Sequence, residues 1–298
     1  MKNGIVILNK GEGMTSQTAV NRVKRLFGAD KAGHTGTLDP MATGVLPILI
    51  GRAVKASEYL VEGHKSYRAV MRLGITTDTE DTTGRILSTS PVTTTEDEVR
   101  AVCTRFVGEI KQVPPMYSAL KRNGQKLVDL ARRGVTVERE ARTVTVYKLS
   151  VERLSDTEYA LDVLCSKGTY IRTLCADIGA SLGCGAAMQS LCRTETAGFL
   201  IEKAYTLDEL ALMTDAERDA TLVDVESLFS AWDTVLLPPF YARLARNGCE
   251  IYQKKIGKSY GVGTRLRVYD EDGFFGIGEV RDYEEGSAVK LMKFLREK

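Results

Sequence analysis

Short apolar blocks whose period changes from segment to segment organise this chain. Gly4–Leu8 reads as a buried strand, closed by the turn Lys10-Gly11-Glu12-Gly13. Thr15 or Ser16 is placed to cap a helix whose apolar stripe is Ala19, Val20, Val23, Leu26 and Phe27. The unbroken apolar run Val45–Ile50 predicts a buried strand, and Arg52–Leu60 a short helix. Tyr67, Ala69, Met71 and Leu73 alternate with polar or smaller residues, the period of a half-buried strand. A polar loop is expected over 76–84, then a helix over Glu96–Phe106 behind a Thr-rich cap. Pro114-Pro115 breaks regular structure. Strands resume at Thr143–Leu149 and Tyr159–Cys165. Gly168-Thr169 then precedes a helix from Tyr170 to Leu182 with Ile171, Leu174, Cys175 and Ile178 on one face.

The acidic stretch after Thr206 reads as mainly helical, and Leu236-Leu237-Pro238-Pro239 as a domain boundary. Beyond it, Leu266–Tyr269, Phe274–Val280 and Val289–Phe294 are β-like runs between Gly-rich turns. The expected organisation is therefore a large α+β domain over 1–237 and a small β-rich domain over 238–298. No apolar run reaches the roughly 18 residues of a membrane helix, and the N-terminal apolar stretch is too short for a signal peptide. Six cysteines without a CxxC pair read as reduced thiols of a cytoplasmic protein, expected to be monomeric. With two histidines and no paired cysteines, the chain offers poor material for a zinc site.

Net charge is only +2, but its distribution is uneven. Residues 1–72 carry eleven Lys/Arg against five Asp/Glu and residues 111–148 nine against three, whereas residues 201–235 carry two against nine. Two basic regions offset by an acidic one are compatible with a positive face that neutralises phosphates, and equally with charges scattered around the fold.

Candidate chemistry centres on Gly33-His34-Thr35-Gly36-Thr37-Leu38-Asp39-Pro40-Met41-Ala42-Thr43-Gly44. Pro40 biases Asp39 toward extended backbone, and the glycines permit close approach of a ligand. The loop presents either a reactive carboxylate or an ordinary turn aspartate bonding its own backbone. Arg172 falls in the first turn of its helix, where the dipole disfavours a cation. That placement points to an anionic partner, with a solvated arginine as the alternative.

Five ordered motifs extend this picture: the Asp39 segment through Leu46; Lys65-Ser66-Tyr67; Gly74-Ile75-Thr76-Thr77-Asp78-Thr79-Glu80-Asp81; Pro114-Pro115-Met116-Tyr117-Ser118-Ala119-Leu120-Lys121; and Gly168-Thr169-Tyr170-Ile171-Arg172. With them the chain resembles the tRNA pseudouridine synthase B (TruB) family, the tRNA pseudouridine-55 synthases. The tail, with Gly273-Phe274-Phe275-Gly276-Ile277-Gly278-Glu279-Val280, resembles a PUA RNA-binding module. Two departures stand out. Asn9-Lys10-Gly11 replaces the usual Asp-Lys-Pro, which is expected to loosen that turn, and Val128 occupies a more usually aromatic position.

The resemblance implies a pseudouridine synthase fold, with a mixed, mostly antiparallel sheet flanked by helices, and a cofactor-independent isomerisation of a T-loop uridine in tRNA. Asp39 would be the catalytic carboxylate, acting either by attack on base or sugar or by abstracting a sugar proton. Arg172 would pair with it and hold it ionised, and Tyr67 would stack on the extruded uracil and serve as acid or base. Lys10, Asp81 and Leu191 would contact or shape the uridine pocket. His34 would wedge against unstacked RNA bases rather than act as a base. The basic segment 121–142 would close over the T arm, and the small domain would hold the acceptor-stem side. A non-catalytic RNA-binding protein shares the basic regions but has no need of the Asp39, Tyr67 and Arg172 set. A nucleotide hydrolase would want the metal ligands and phosphate loop that the sequence lacks.

Overall fold

A computed structural model describes residues 2–61, 63–122 and 124–296. One main sheet runs in the order Gly4–Lys10, Thr43–Ile50, Ala186–Thr196, Lys65–Leu73, Glu158–Cys165, Arg142–Arg153, Gly108–Gln112. Ala32–His34 adds to Thr43–Ile50, and Phe199–Leu200 to Ala186–Thr196. Every pairing is antiparallel except one: Ala186–Thr196 meets Thr43–Ile50 in parallel, at Cys192↔Thr43 and Arg193↔Gly44. The sheet is thus mixed and mostly antiparallel, with helices against it.

The alternating stretch at Tyr67 is strand Lys65–Leu73, with alternate residues inward from Lys65 through Tyr67, Ala69 and Met71 to Leu73. The Val45–Ile50 run forms a strand buried throughout, because both its faces are covered. Leu46, Ile48 and Ile50 join the core beneath helices Ser16–Leu26, Glu96–Thr104 and Ile171–Leu182. Val45 and Leu49 point the other way, into a second cluster containing Ala53, Phe229, Ile277 of the small sheet and Leu295 just after its last strand. That second cluster fastens the two sheets together.

Several local expectations change. Arg52–Leu60 is two elements, a 3-10 turn Gly51–Ala56 and a short helix Ser57–Val61. The region read as a polar loop starts within a hairpin, Ile75–Thr77 with Ile86–Thr89. Thr15, not Ser16, caps the first helix, its side chain accepting from the Thr18 amide. The segment 121–142 holds a helix, Leu127–Arg132, beside a two-residue ladder of Lys121–Arg122 with Gln125–Lys126. The small sheet takes in a strand that precedes the expected boundary: Asp233–Leu236 pairs in parallel with Arg265–Asp270. Its order is completed by Gly273–Arg281, Ala288–Phe294 and Ile251–Tyr252, over a core shared with helix Pro239–Arg246.

The parallel contact is where the two halves of the main sheet part, and it explains Gly44. Its φ is +98°, and a Cβ there would lie 2.2 Å from the Arg193 carbonyl oxygen. Gly13 also has positive φ (+83°), but its Cβ would meet nothing within 4 Å. Backbone strain alone is worth about 1–2 kcal/mol. Gly13→Ala is therefore expected to cost about 1 kcal/mol and Gly44→Ala roughly 3 kcal/mol or more, a difference measurable from urea unfolding midpoints.

Candidate active site

The Asp39 loop is held from beneath by three buried side chains. Ser16 Oγ donates to the Leu38 carbonyl at 2.9 Å and accepts from the Leu38 amide at 2.8 Å. Lys10, fully buried, extends its ammonium to the carbonyls of Gly11 and Met14, both at 2.9 Å, and of Pro40 at 3.3 Å. Arg193, also buried, donates to the Val45 carbonyl at 2.8 Å and the Gly36 carbonyl at 3.2 Å. The turn expected to be loose for want of a proline is pinned instead: Lys10 gathers its carbonyls, and the Gly13 amide donates to the Pro40 carbonyl at 2.8 Å. Leu38 is buried and Pro40 exposed, so the loop anchors one side of Asp39 and leaves the other toward solvent.

Arg172 comes to this loop from the first turn of helix Ile171–Leu182. Its Nε lies 3.0 Å from Asp39 Oδ2 and its Nη1 3.8 Å from Asp81 Oδ2. The guanidinium also donates to the Thr79 carbonyl at 3.0 Å and the Tyr117 carbonyl at 2.8 Å. A buried guanidinium needs partners on every edge, and two carboxylates with two carbonyls supply them. The two carboxylates differ in access: the Asp39 side chain is 36% exposed and that of Asp81 only 7%. Asp81 is occupied internally, with Oδ1 accepting from Thr79 Oγ1, Thr83 Oγ1 and the Thr83 amide. Asp39 keeps a free side from which to reach a substrate.

Burial raises the Asp39 carboxyl above the ordinary aspartate value, and the Asp81 charge adds to this, while Arg172 and Lys10 oppose it. Burial lowers the Lys10 ammonium below its ordinary value, partly offset by Asp39. Lys10 therefore acts on Asp39 through the field and through the Pro40 carbonyl.

Tyr67 and Leu191 lie inward on adjacent strands, in the register Tyr67↔Arg193 and Ala69↔Leu191. Burial raises the Tyr67 phenol, and the Arg193 guanidinium opposes that shift. A crevice of about 320 Å³ opens where the half-sheets part, lined by Met41 and Thr43 of the loop side and by Gln189 to Cys192 opposite. His34 ends strand Ala32–His34, half-buried, its Nδ1 accepting from the Gly36 amide at 3.2 Å. That bond leaves the proton of a neutral imidazole on Nε2, and burial, then Arg193, lower the imidazole below its ordinary pKa.

The structure thus brings Asp39, Arg172, Asp81 and Lys10 to one place, with Tyr67 and Leu191 on the neighbouring strand face and His34 at the loop entrance. Sequence reasoning missed three supports. Arg193 carried a detectable signal, a cation interrupting the inward alternation of strand Ala186–Thr196. Ser16 was legible only as a cap. Gln112 gave no signal: from a distant edge strand it bonds both backbone groups of Tyr170, accepting at 3.1 Å and donating at 3.3 Å, where the helix carrying Arg172 lacks a side-chain cap. Among the described residues no group of His, Cys, Asp and Glu could hold a metal ion.

Comparison with known proteins identifies the family and the fold. Residues 24–171 match the TruB family pseudouridylate synthase N-terminal domain, and residues 172–238 the tRNA pseudouridylate synthase B C-terminal domain. The tRNA pseudouridine synthase B of Alkaliphilus oremlandii is 43% identical, over 99% of both chains. That of Burkholderia mallei is 47% identical over 91% of this chain and 90% of its own. In a crystal structure of a Cbf5-Nop10-Gar1 complex, a chain 26% identical superposes with a TM-score of 0.71, covering 98% of this chain and 85% of that one. A chain of an H/ACA RNP bound to a substrate RNA, 23% identical, shares the fold with a TM-score of 0.70 over 99% of this chain and 85% of its own. The chain belongs to the TruB family of tRNA pseudouridine synthases.

Proposed function

We propose that this protein is an isomerase that converts a T-loop uridine of tRNA to pseudouridine, with Asp39 as the reacting carboxylate. The observation that carries the reading is the Asp39–Arg172 pair at 3.0 Å, open on the Asp39 side and closed behind by Asp81. In the reaction the bond from N1 to C1′ breaks, the base turns, and a bond from C5 to C1′ replaces it. C5 loses a proton and N1 gains one, so no electron or group enters from outside. Both routes to this rearrangement begin with an ionised carboxylate, attacking base or sugar in one and taking a sugar proton in the other. Arg172 favours that ionised form.

Tyr67 and Leu191 offer the flat and apolar surfaces on which an extruded uracil is held, and the Tyr67 hydroxyl serves as acid or base. Stacking is worth about 1–3 kcal/mol per base, which offsets part of the cost of extrusion. His34, at the loop entrance with its Nδ1 already accepting from the Gly36 amide, fits a role against unstacked bases better than one in proton transfer. The basic segment 121–142 would grip T-arm phosphates and the PUA-like sheet the acceptor-stem side. The cysteines are unpaired and no described helix is long and apolar enough to cross a membrane; the free thiols support a cytoplasmic setting.

Wild-type protein is expected to convert an isolated T-arm stem-loop, read as a reverse-transcription stop after carbodiimide labelling. Asp39→Asn should bind that RNA with near wild-type affinity and leave it unmodified; a full-strength stop would remove Asp39 from the mechanism. The pH dependence follows from the same geometry. Activity needs ionised Asp39, whose pKa is raised by burial and restrained by Arg172. The single-turnover rate should therefore fall on acidification with a midpoint above the ordinary aspartate range. In Arg172→Met that acid limb should move to still higher pH, because the restraint is gone. The same variant should lose about 3 kcal/mol of folding stability, since Asp81 stays buried without its cation while the more exposed Asp39 contributes less.

A further inference from the structure

Beside the Asp39–Arg172–Asp81 set lies a third carboxylate, Glu80, to which neither the sequence motifs nor the reaction assigns a part. Its backbone is strained: at φ +64° it is, with Ala197, one of two non-glycine residues of positive φ among those described. Glycine is the relaxed choice for such a conformation, and a larger residue persists there only when its surroundings over-determine it. The surroundings of Glu80 do so. Its carbonyl accepts from the Met188 amide at 3.0 Å, and the Thr82 amide donates to the Met188 carbonyl at 2.9 Å. This stitches the loop to strand Ala186–Thr196 on both sides of Asp81. Its side chain accepts from Thr173 Oγ1 at 2.5 Å.

Thr173 follows Arg172 on the helix. Three consecutive loop residues thus hold two consecutive helix residues: the Thr79 carbonyl and the Asp81 carboxylate take Arg172, and Glu80 takes Thr173. We propose that Glu80 is a positioning residue for the reaction, its bond to Thr173 locking the first helical turn against the Thr79–Asp81 loop and so fixing the direction from which Arg172 meets Asp39. The inference rests on the reading of Asp39 as the reacting group. Behind Glu80 a cavity of about 260 Å³, lined by Thr77, Ser90, Ala176, Ala180 and Gly185 among others, leaves the turn room to shift once the bond is lost. Burial raises the Glu80 carboxyl, and the Thr173 hydroxyl and Arg172 oppose that shift. The role requires an acceptor oxygen, which an amide also supplies.

The test uses the full-length protein and a transcribed tRNA, with single-turnover rates, RNA dissociation constants and unfolding midpoints. Glu80→Ala is expected to slow conversion about tenfold, the equivalent of one hydrogen bond, with RNA affinity within about twofold of wild type. Glu80→Gln should restore the rate. Glu80→Gly should be as slow as Glu80→Ala yet unfold no more easily, because glycine relieves the strain, which separates positioning from stability. Thr173→Val should reproduce the slow rate and add nothing to Glu80→Ala. Wild-type rates in Glu80→Ala, additive losses in the double variant, a Glu80→Gln as slow as Glu80→Ala, or an effect confined to RNA affinity would each overturn the proposal. Asp39→Asn in the same assay keeps the two readings apart: if it is dead while Glu80→Ala is normal, only the Glu80 role falls, and if it is active, the assignment of Asp39 falls.

Discussion

A guanidinium buried at the wrong end of a helix is the constraint around which this site is built. The first turn of a helix presents its positive end, and Arg172 is buried there. Removing such a charge from water is tolerable only with anions and carbonyls on its edges. Segments far apart in the chain supply them: Asp39, Thr79 and Asp81, and Tyr117. The cation therefore selects one arrangement of three loops that have little regular hydrogen bonding of their own, and the same contacts that lower its cost aim the outermost carboxylate at solvent.

The Asp39 loop is rigid for a related reason. Its backbone carbonyls at Gly36, Leu38 and Pro40 face inward, and a buried carbonyl needs a donor from another element. Lys10, Arg193 and Ser16 do this, so a segment without helix or strand is fixed at Gly36, Leu38 and Pro40. Lys10 and Arg193 also place positive charge beneath the loop, which favours an ionised carboxylate above it. The parting of the two half-sheets at Gly44 puts the end of this loop beside the strand that carries Leu191 and Arg193.

The hydrophobic periods located Lys65–Leu73 and Ser16–Leu26, because burial of one face imposes a period of two on the first and near 3.6 on the second, but they did not reveal strand Ala186–Thr196 in the middle of the main sheet or the edge strand Gly108–Gln112. The pattern was less informative where the fold covers both faces or neither. Asp233–Leu236 carries too few inward residues to show a period, and its membership of the small sheet comes from a parallel partner beyond the expected boundary. The 3-10 turn Gly51–Ala56 read as part of a helix because the two share their polar and apolar spacing over a few residues.

For the site, the sequence by itself determined the reactive vocabulary: a carboxylate before a proline in a glycine-rich loop, an arginine in a first turn, a tyrosine on an alternating strand, and ordered motifs that mark the family. Those are local signals, carried by neighbours along the chain. Only the tertiary structure decided which of these groups share one charge balance. It set Asp81 behind Arg172 and Asp39 in front, made Lys10 a holder of backbone carbonyls beneath the loop, and brought in Gln112, Arg193 and Glu80. The reason is physical: desolvation and pairing depend on distance through space, and nothing in the local sequence records which distant backbone carbonyl a buried cation will meet.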